Sequence, residues 1–144
     1  MILTKKEIGK RGEEIAAEFL ERRGLHIVEQ NYHSRWGELD LISVKTDEVF
    51  ENEMYFNAET QAMNRYISGL QGSGVHFVEV KTRTGTGYDT PGAAVDCRKQ
   101  RRLRKTALVW LQEQEQYFSV LCFDVIEVWV MGETAKIRWL QNCF

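Results

Sequence analysis

Three residues in two short stretches carry the strongest chemical signal in the chain. Asp40 closes the run Gly37-Glu38-Leu39-Asp40, while Glu79 and Lys81 sit two apart in Val78-Glu79-Val80-Lys81. Apart from their charged residues, both stretches are apolar. A carboxylate among apolar neighbours is costly unless something neutralises it. Two arrangements would do so. The two acids and the lysine can form a structural ion-pair cluster, or the acids can hold a hard divalent cation. Mg²⁺ takes a few carboxylates and keeps several waters, which suits an Asp, a Glu and a backbone carbonyl. Such an ion polarises a phosphodiester and lowers the pKa of a bound water, and the lysine orients the nucleophile or offsets developing negative charge. A lone Glu-x-Lys is common. An upstream Asp flanked by Gly37 makes this one more specific.

A second signal is electrostatic. Arg98, Lys99, Arg101, Arg102, Arg104 and Lys105 form a run with no acid among them. The formal net charge of the chain is −2, which hides this patch. Dense positive charge attracts a phosphate backbone; the alternative is a solvated helix face. Ser34, Arg35 and Trp36, just before Gly37, offer a backbone contact and a stacking surface, or simply a surface loop. Arg35, and Arg83 just beyond Lys81, join the candidate nucleic-acid contacts.

The elements that must position these groups follow from pattern. Thr4 and Glu7 fit a capping box and Gly24 a helix stop, with Ile8, Gly12, Ile15, Ala16, Phe19 and Leu20 at helical spacing between them. A strand is expected over 25–32 and a turn over 33–37. A second strand over 38–44 should place Leu39 and Leu41 on one face and Glu38 and Asp40 on the other. A third, 75–82, should set Glu79 and Lys81 opposite Val78 and Val80. Residues 83–92 read as a loop. Asp96 caps a helix running to about Gln114, with Leu103, Ala107, Leu108 and Leu111 inward. Strands over 120–130 and 135–140 follow, turning at Gly132. The expected order is therefore α-β-β-β-α-β-β.

Residues 46–75 stand apart, with five acids against one base. They are too long for a hairpin loop. Met63, Tyr66, Ile67 and Leu70 fall at i, i+3, i+4 and i+7, so a short amphipathic helix is expected inside an insertion between the second and third strands. The acidic charge repels phosphates, and the apolar stripe needs a partner surface. The insertion is thus a candidate homodimer contact.

Composition bounds the rest. A length of 144 residues, 43% hydrophobic and 28% charged, suits one globular domain spanning 1–144. No apolar run reaches the ~18 residues of a membrane helix, and the charged N-terminus lacks a signal-peptide core. A cytoplasmic setting without membrane association is expected. Cys97, Cys122 and Cys143 are scattered, with no Cys-x-x-Cys, which argues against a disulfide scaffold or a structural zinc. His26, His33 and His76 read as isolated.

Several segments together resemble a known family: G-K-R-G-E-E-I-A-A at 9–17, N-Y at 31–32, G-E-L-D-L-I at 37–42, F-V-E-V-K-T-R at 77–83, the spacing from Lys99 to Leu111, and F-D-V-I at 123–126. They resemble the YraN-like family, placed in the PD-(D/E)xK, or restriction-endonuclease-like, superfamily and similar to Holliday-junction resolvases. The resemblance covers nearly the whole chain outside 46–75. It implies an α/β fold with an αβββαβ core, a mixed central sheet flanked by helices. It also implies Mg²⁺ dependence, with Mn²⁺ as substitute, and cleavage of nucleic-acid phosphodiesters. The implied metal ligands are Asp40, Glu79 and the Val80 carbonyl. Lys81 would be the catalytic lysine, and Glu13 matches the helix glutamate of resolvase-like members. Leu39 stands where the superfamily name has proline.

Three functions follow as expectations. The first is a Mg²⁺-dependent endonuclease cutting DNA, including branched or structured DNA. The second is a catalytically weak nucleic-acid-binding subunit that keeps the fold. The third is a protein-interaction module that uses the acidic insertion.

Overall fold

The computed structural model describes residues 3–45, 74–84, 95–114, 118 and 120–144. Its elements are α1 (Lys5–Arg22), β1 (Leu25–Ser34), β2 (Gly37–Lys45), β3 (Gly74–Thr84), α2 (Cys97–Glu113), β4 (Val120–Met131) and β5 (Thr134–Leu140). The α-β-β-β-α-β-β order holds.

Local chemistry starts and stops the helices. Thr4 and Glu7 form the reciprocal capping box on α1, and Gly24 follows its end at φ +87, a conformation that favours glycine. The Asp96 side chain accepts the Lys99 N–H at 2.8 Å and opens α2.

The sheet runs β1-β2-β3-β4-β5, with β3 and β4 parallel and the other neighbours antiparallel. The parallel pair needs a crossover, and α2 lies on it. This is the α/β, mixed-sheet architecture of the restriction-endonuclease-like fold. The two helices cover opposite faces. On the α2 face, Leu103, Ala107 and Trp110 pack with Ile42, Val44, Val75, Phe77 and Val125. On the α1 face, Ala16, Ala17 and Leu20 pack with Leu41, Val78, Ile126 and Val128. Burying a side chain such as Leu20 contributes about 1.5–3 kcal/mol. No helix among the described residues is long and apolar enough to cross a membrane.

Several sequence expectations shift. Arg83 and Thr84 continue β3 rather than beginning a loop, and Gly74 and Val75 belong to β3 rather than to an insertion. The remainder of the insertion, with the Met63-to-Leu70 stripe and the dimer contact expected of it, lies outside the described residues. The turn after β1 shortens to Arg35 and Trp36. Leu108 is exposed, and Trp110 takes the inward place expected of Leu108, because the apolar face of α2 is centred on Leu103, Thr106, Ala107 and Trp110.

His76 is not isolated. Its Nδ1 lies 2.6 Å from Asp124 Oδ2, which also accepts Trp139 Nε1–H at 2.9 Å. Asp124 Oδ1 accepts the Asn142 N–H at 2.7 Å. Both Asp124 oxygens are therefore satisfied inside the protein, and they tie β3, β4, β5 and the following turn together.

Candidate active site

The site is built where β2 and β3 part. Their pairing runs from Val44↔Val75 to Leu41↔Val78, so Asp40 and Glu79 face each other one rung past the last pair. Asp40 fills the gap: its Oδ2 accepts the Val80 N–H at 2.7 Å, a hydrogen bond the ladder no longer supplies.

The side-chain alternation of β2 breaks at the same place. Leu41 packs on the α1 face, as expected, but Leu39 packs on the α2 face beside Tyr32. The expectation that Leu39 and Leu41 share a face is overturned, and the reason is local backbone. The β1–β2 register has Gln30↔Leu41 and Tyr32↔Leu39, with Asn31 between them opposite Asp40. Asn31 has φ 50, the left-handed region that asparagine tolerates better than most residues. Both strands change faces at this rung.

Glu13 reaches the site from α1. Its neighbour Gly12 lets the helix lie against β3, since a Cβ there would come within 1.8 Å of Thr82 Oγ1. Glu13 lines the same cleft as Asp40, and burial, with the charges of nearby Glu38 and Glu79, holds its carboxyl above the usual range. Burial, then the Glu79 charge, pushes Asp40 up to about 7.

Glu79 is buried, and two lysines meet one of its oxygens. Lys99 Nζ is 2.6 Å from Oε1 and Lys81 Nζ 3.5 Å. Burial and then the neighbouring Lys99 lower the Lys81 pKa. Burial pulls Lys99 the same way, but its pairing with Glu79 outweighs this and raises it. Lys99, expected on a phosphate, here serves the carboxylates.

Two clefts open onto these groups. One, about 550 Å³, lies toward α1 and is lined by Lys5, Gly9, Glu13, Asp40, Glu79 and Lys81 among others. The other, about 360 Å³, lies toward α2 and adds Arg98, Lys99 and Arg102. A third, about 660 Å³, lies beside the β1–β2 turn and collects Arg35, Trp36, Arg98, Arg101, Arg102 and Lys105.

Two more of the expected nucleic-acid contacts have other neighbours. Arg104 lies over the Phe123 ring at 5.7 Å. Arg83 Nε donates to Glu127 Oε2 at 3.2 Å. Glu127 is buried and sits in register with Lys81 on β4. Sequence reasoning passed over it, although a lone acid in the apolar run Val125-Ile126-Glu127-Val128 was the available signal. Lys5, at the start of α1, was also missed.

As the side chains stand, no group of three or more His, Cys, Asp or Glu among the described residues is placed to hold a metal. Asp40 and Glu79 are the available pair. Two hard oxygen donors whose like charges oppose each other fit an ion such as Mg²⁺, which completes its shell with a carbonyl and waters.

A family profile described as "Uncharacterised protein family UPF0102" matches residues 12–128. Among curated proteins, a UPF0102 protein of Syntrophomonas wolfei is 34% identical, covering 96% of this chain and 98% of its own length. One from Nocardia farcinica is 40% identical over 86% of this chain and 77% of its own. One from Geobacter metallireducens is 33% identical over 100% of this chain and 97% of its own.

Proposed function

The chain belongs to the UPF0102 family, the family its motifs resemble, and we propose that it is a divalent-cation-dependent nuclease cutting DNA phosphodiesters. The observation that carries this reading is the Asp40–Glu79 rung with Lys81 beside it, open to a cleft that leads to the basic face of α2. Carboxylates so placed are costly for folding, and a cation that binds substrate phosphate gives the arrangement a use.

In this reading Asp40, Glu79 and the Val80 carbonyl hold Mg²⁺, with Mn²⁺ as substitute. The bound ion supplies charge for a phosphate oxygen and acidifies a water. Asp40 is oriented by the Val80 N–H, and Glu13 lines the same cleft from α1. Lys81 stands where its ammonium can orient the attacking water or meet charge developing on phosphate. Arg98, Arg101, Arg102 and Lys105 carry the flanking backbone.

A panel of branched, flapped, single-stranded and blunt duplex DNAs, incubated with Mg²⁺, Mn²⁺ or EDTA, tests the reading. The parent should cut at least one substrate with metal and none with EDTA. Glu79→Ala and Asp40→Ala should each abolish cleavage while circular dichroism shows a retained fold. Undiminished cleavage by Glu79→Ala would falsify the assignment.

One observation favours a second reading, a nucleic-acid-binding subunit of little activity. Lys99 and Lys81 already neutralise Glu79 without a metal. Metal-independent DNA binding without cleavage of any substrate would select it.

A further inference from the structure

The turn joining β1 and β2 is pinned to α2. Ser34 Oγ accepts the Trp36 N–H at 3.0 Å and lies 2.9 Å from Thr106 Oγ1, which is buried on α2. Gly37 follows at φ +151, and a Cβ there would sit 3.8 Å from Arg102 Cβ, so the turn backbone rests against the helix. The Trp36 backbone is thus fixed, yet the residue is 37% exposed. Its ring has Lys105 Nζ at 4.3 Å and the Arg35 guanidinium at 4.5 Å from its centroid.

Among the described residues, the cleft beside this ring is lined by five cations and no acid. It shares Gly37, Arg98 and Arg102 with the cleft that holds Asp40 and Glu79. One track therefore runs from the carboxylates to the indole. Trp36 is four residues before Asp40, roughly 13 Å along an extended strand. That spans about two to four nucleotides, depending on how far the strand is stretched.

We propose that Trp36 is a stacking platform for an unpaired base, so that the substrate class is a nucleic-acid strand unpaired about two to four nucleotides from the bond that is cut. This rests on the nuclease reading above. A base inside a duplex has both faces covered by its neighbours. An indole on a pinned turn reaches a base face only where pairing is interrupted, while the cations beside it follow the backbone. Lys105 and Arg35 are long side chains on an exposed ring. When a base takes the ring, each moves onto a phosphate of the same strand and exchanges a weak cation–π contact for a charge-assisted one.

Binding in EDTA, where nothing is cut, tests this. The probes are an oligothymidylate of about twenty nucleotides and a blunt duplex of similar length. Trp36→Ala should weaken single-strand binding about tenfold or more and duplex binding less than about twofold. Trp36→Phe keeps a ring and should retain most of the single-strand affinity. Single-strand binding should quench indole emission in the parent more than in Trp36→Phe. Equal losses on both probes would assign Trp36 to holding cations alone and overturn the inference, as would no loss on the single strand. A parent that binds neither probe overturns this inference, whereas the nuclease reading itself falls only if no DNA of the cleavage panel is cut with metal.

Discussion

Lys99 Nζ lies 2.6 Å from Glu79 Oε1, on the oxygen that Lys81 also faces. Lys99 stands in the first turn of α2, where its N–H is held by the Asp96 cap. A tethered ammonium therefore occupies an oxygen that a metal would use, and an arriving ion has to displace it. Lys99→Met should tighten Mn²⁺ binding about tenfold by calorimetry, equivalent to ~1.4 kcal/mol. The metal-free variant should melt lower than the parent, because Glu79 loses its nearest cation. Unchanged Mn²⁺ affinity would show that Lys99 and the ion do not compete.

Asp40 sets a pH dependence of stability. Its pKa is pushed up to about 7 from 3.8, so the folded protein keeps a proton that the unfolded chain releases near pH 4. Without metal, the contribution of Asp40 to stability is fully present below that point. It falls as pH rises toward about 7 and then levels, by roughly 2–4 kcal/mol in all. Urea unfolding in EDTA across this range should show the decline, and Asp40→Asn should flatten it. Mn²⁺ should reverse the trend, because the ion binds the ionised carboxylate and gains affinity as the proton leaves.

The two glycines of the Gly9-Lys10-Arg11-Gly12 run should behave oppositely. A Cβ at Gly12 would lie 1.8 Å from Thr82 Oγ1 and 2.8 Å from Thr82 Cβ, whereas one at Gly9 meets nothing within 4 Å. Gly12→Ala should cost about 1–3 kcal/mol and draw Glu13 away from Asp40. Gly9→Ala should stabilise α1 by up to about 1 kcal/mol. Denaturant unfolding of the two variants separates them.

The basic residues of α2 should divide by direction. Arg98 and Arg101 line the cleft beside Trp36, while Arg104 lies over Phe123. Replacing Arg98 and Arg101 together with alanine should reduce the salt slope of DNA binding by up to about two units, one for each phosphate no longer neutralised. Arg104→Ala should leave the slope unchanged. Equal effects from all three would mean that the helix presents a general positive field rather than a track.

What the sequence determined by itself is short in range. The Thr4–Glu7 box, the Gly24 stop and the Asp96 cap depend on residues within a few positions, so they are legible without a fold. The same holds for β3, where Val78 and Val80 take one face and leave Glu79 and Lys81 the other. Charged residues in otherwise apolar strands already pointed to Asp40 with Glu79, and the motif resemblance added Glu13. Tertiary structure decided the rest. Asn31 adopts φ 50 at the rung opposite Asp40, and there Leu39 leaves the face of Leu41 for the core under α2. A period-two pattern cannot show this, because the break lies in the backbone and not in the residue types. Lys99 on Glu79, Arg83 on Glu127 and His76 on Asp124 join positions tens of residues apart. Sequence supplies those charges but not their partners, since a buried charge takes whichever opposite group the packed sheet and helices bring within reach.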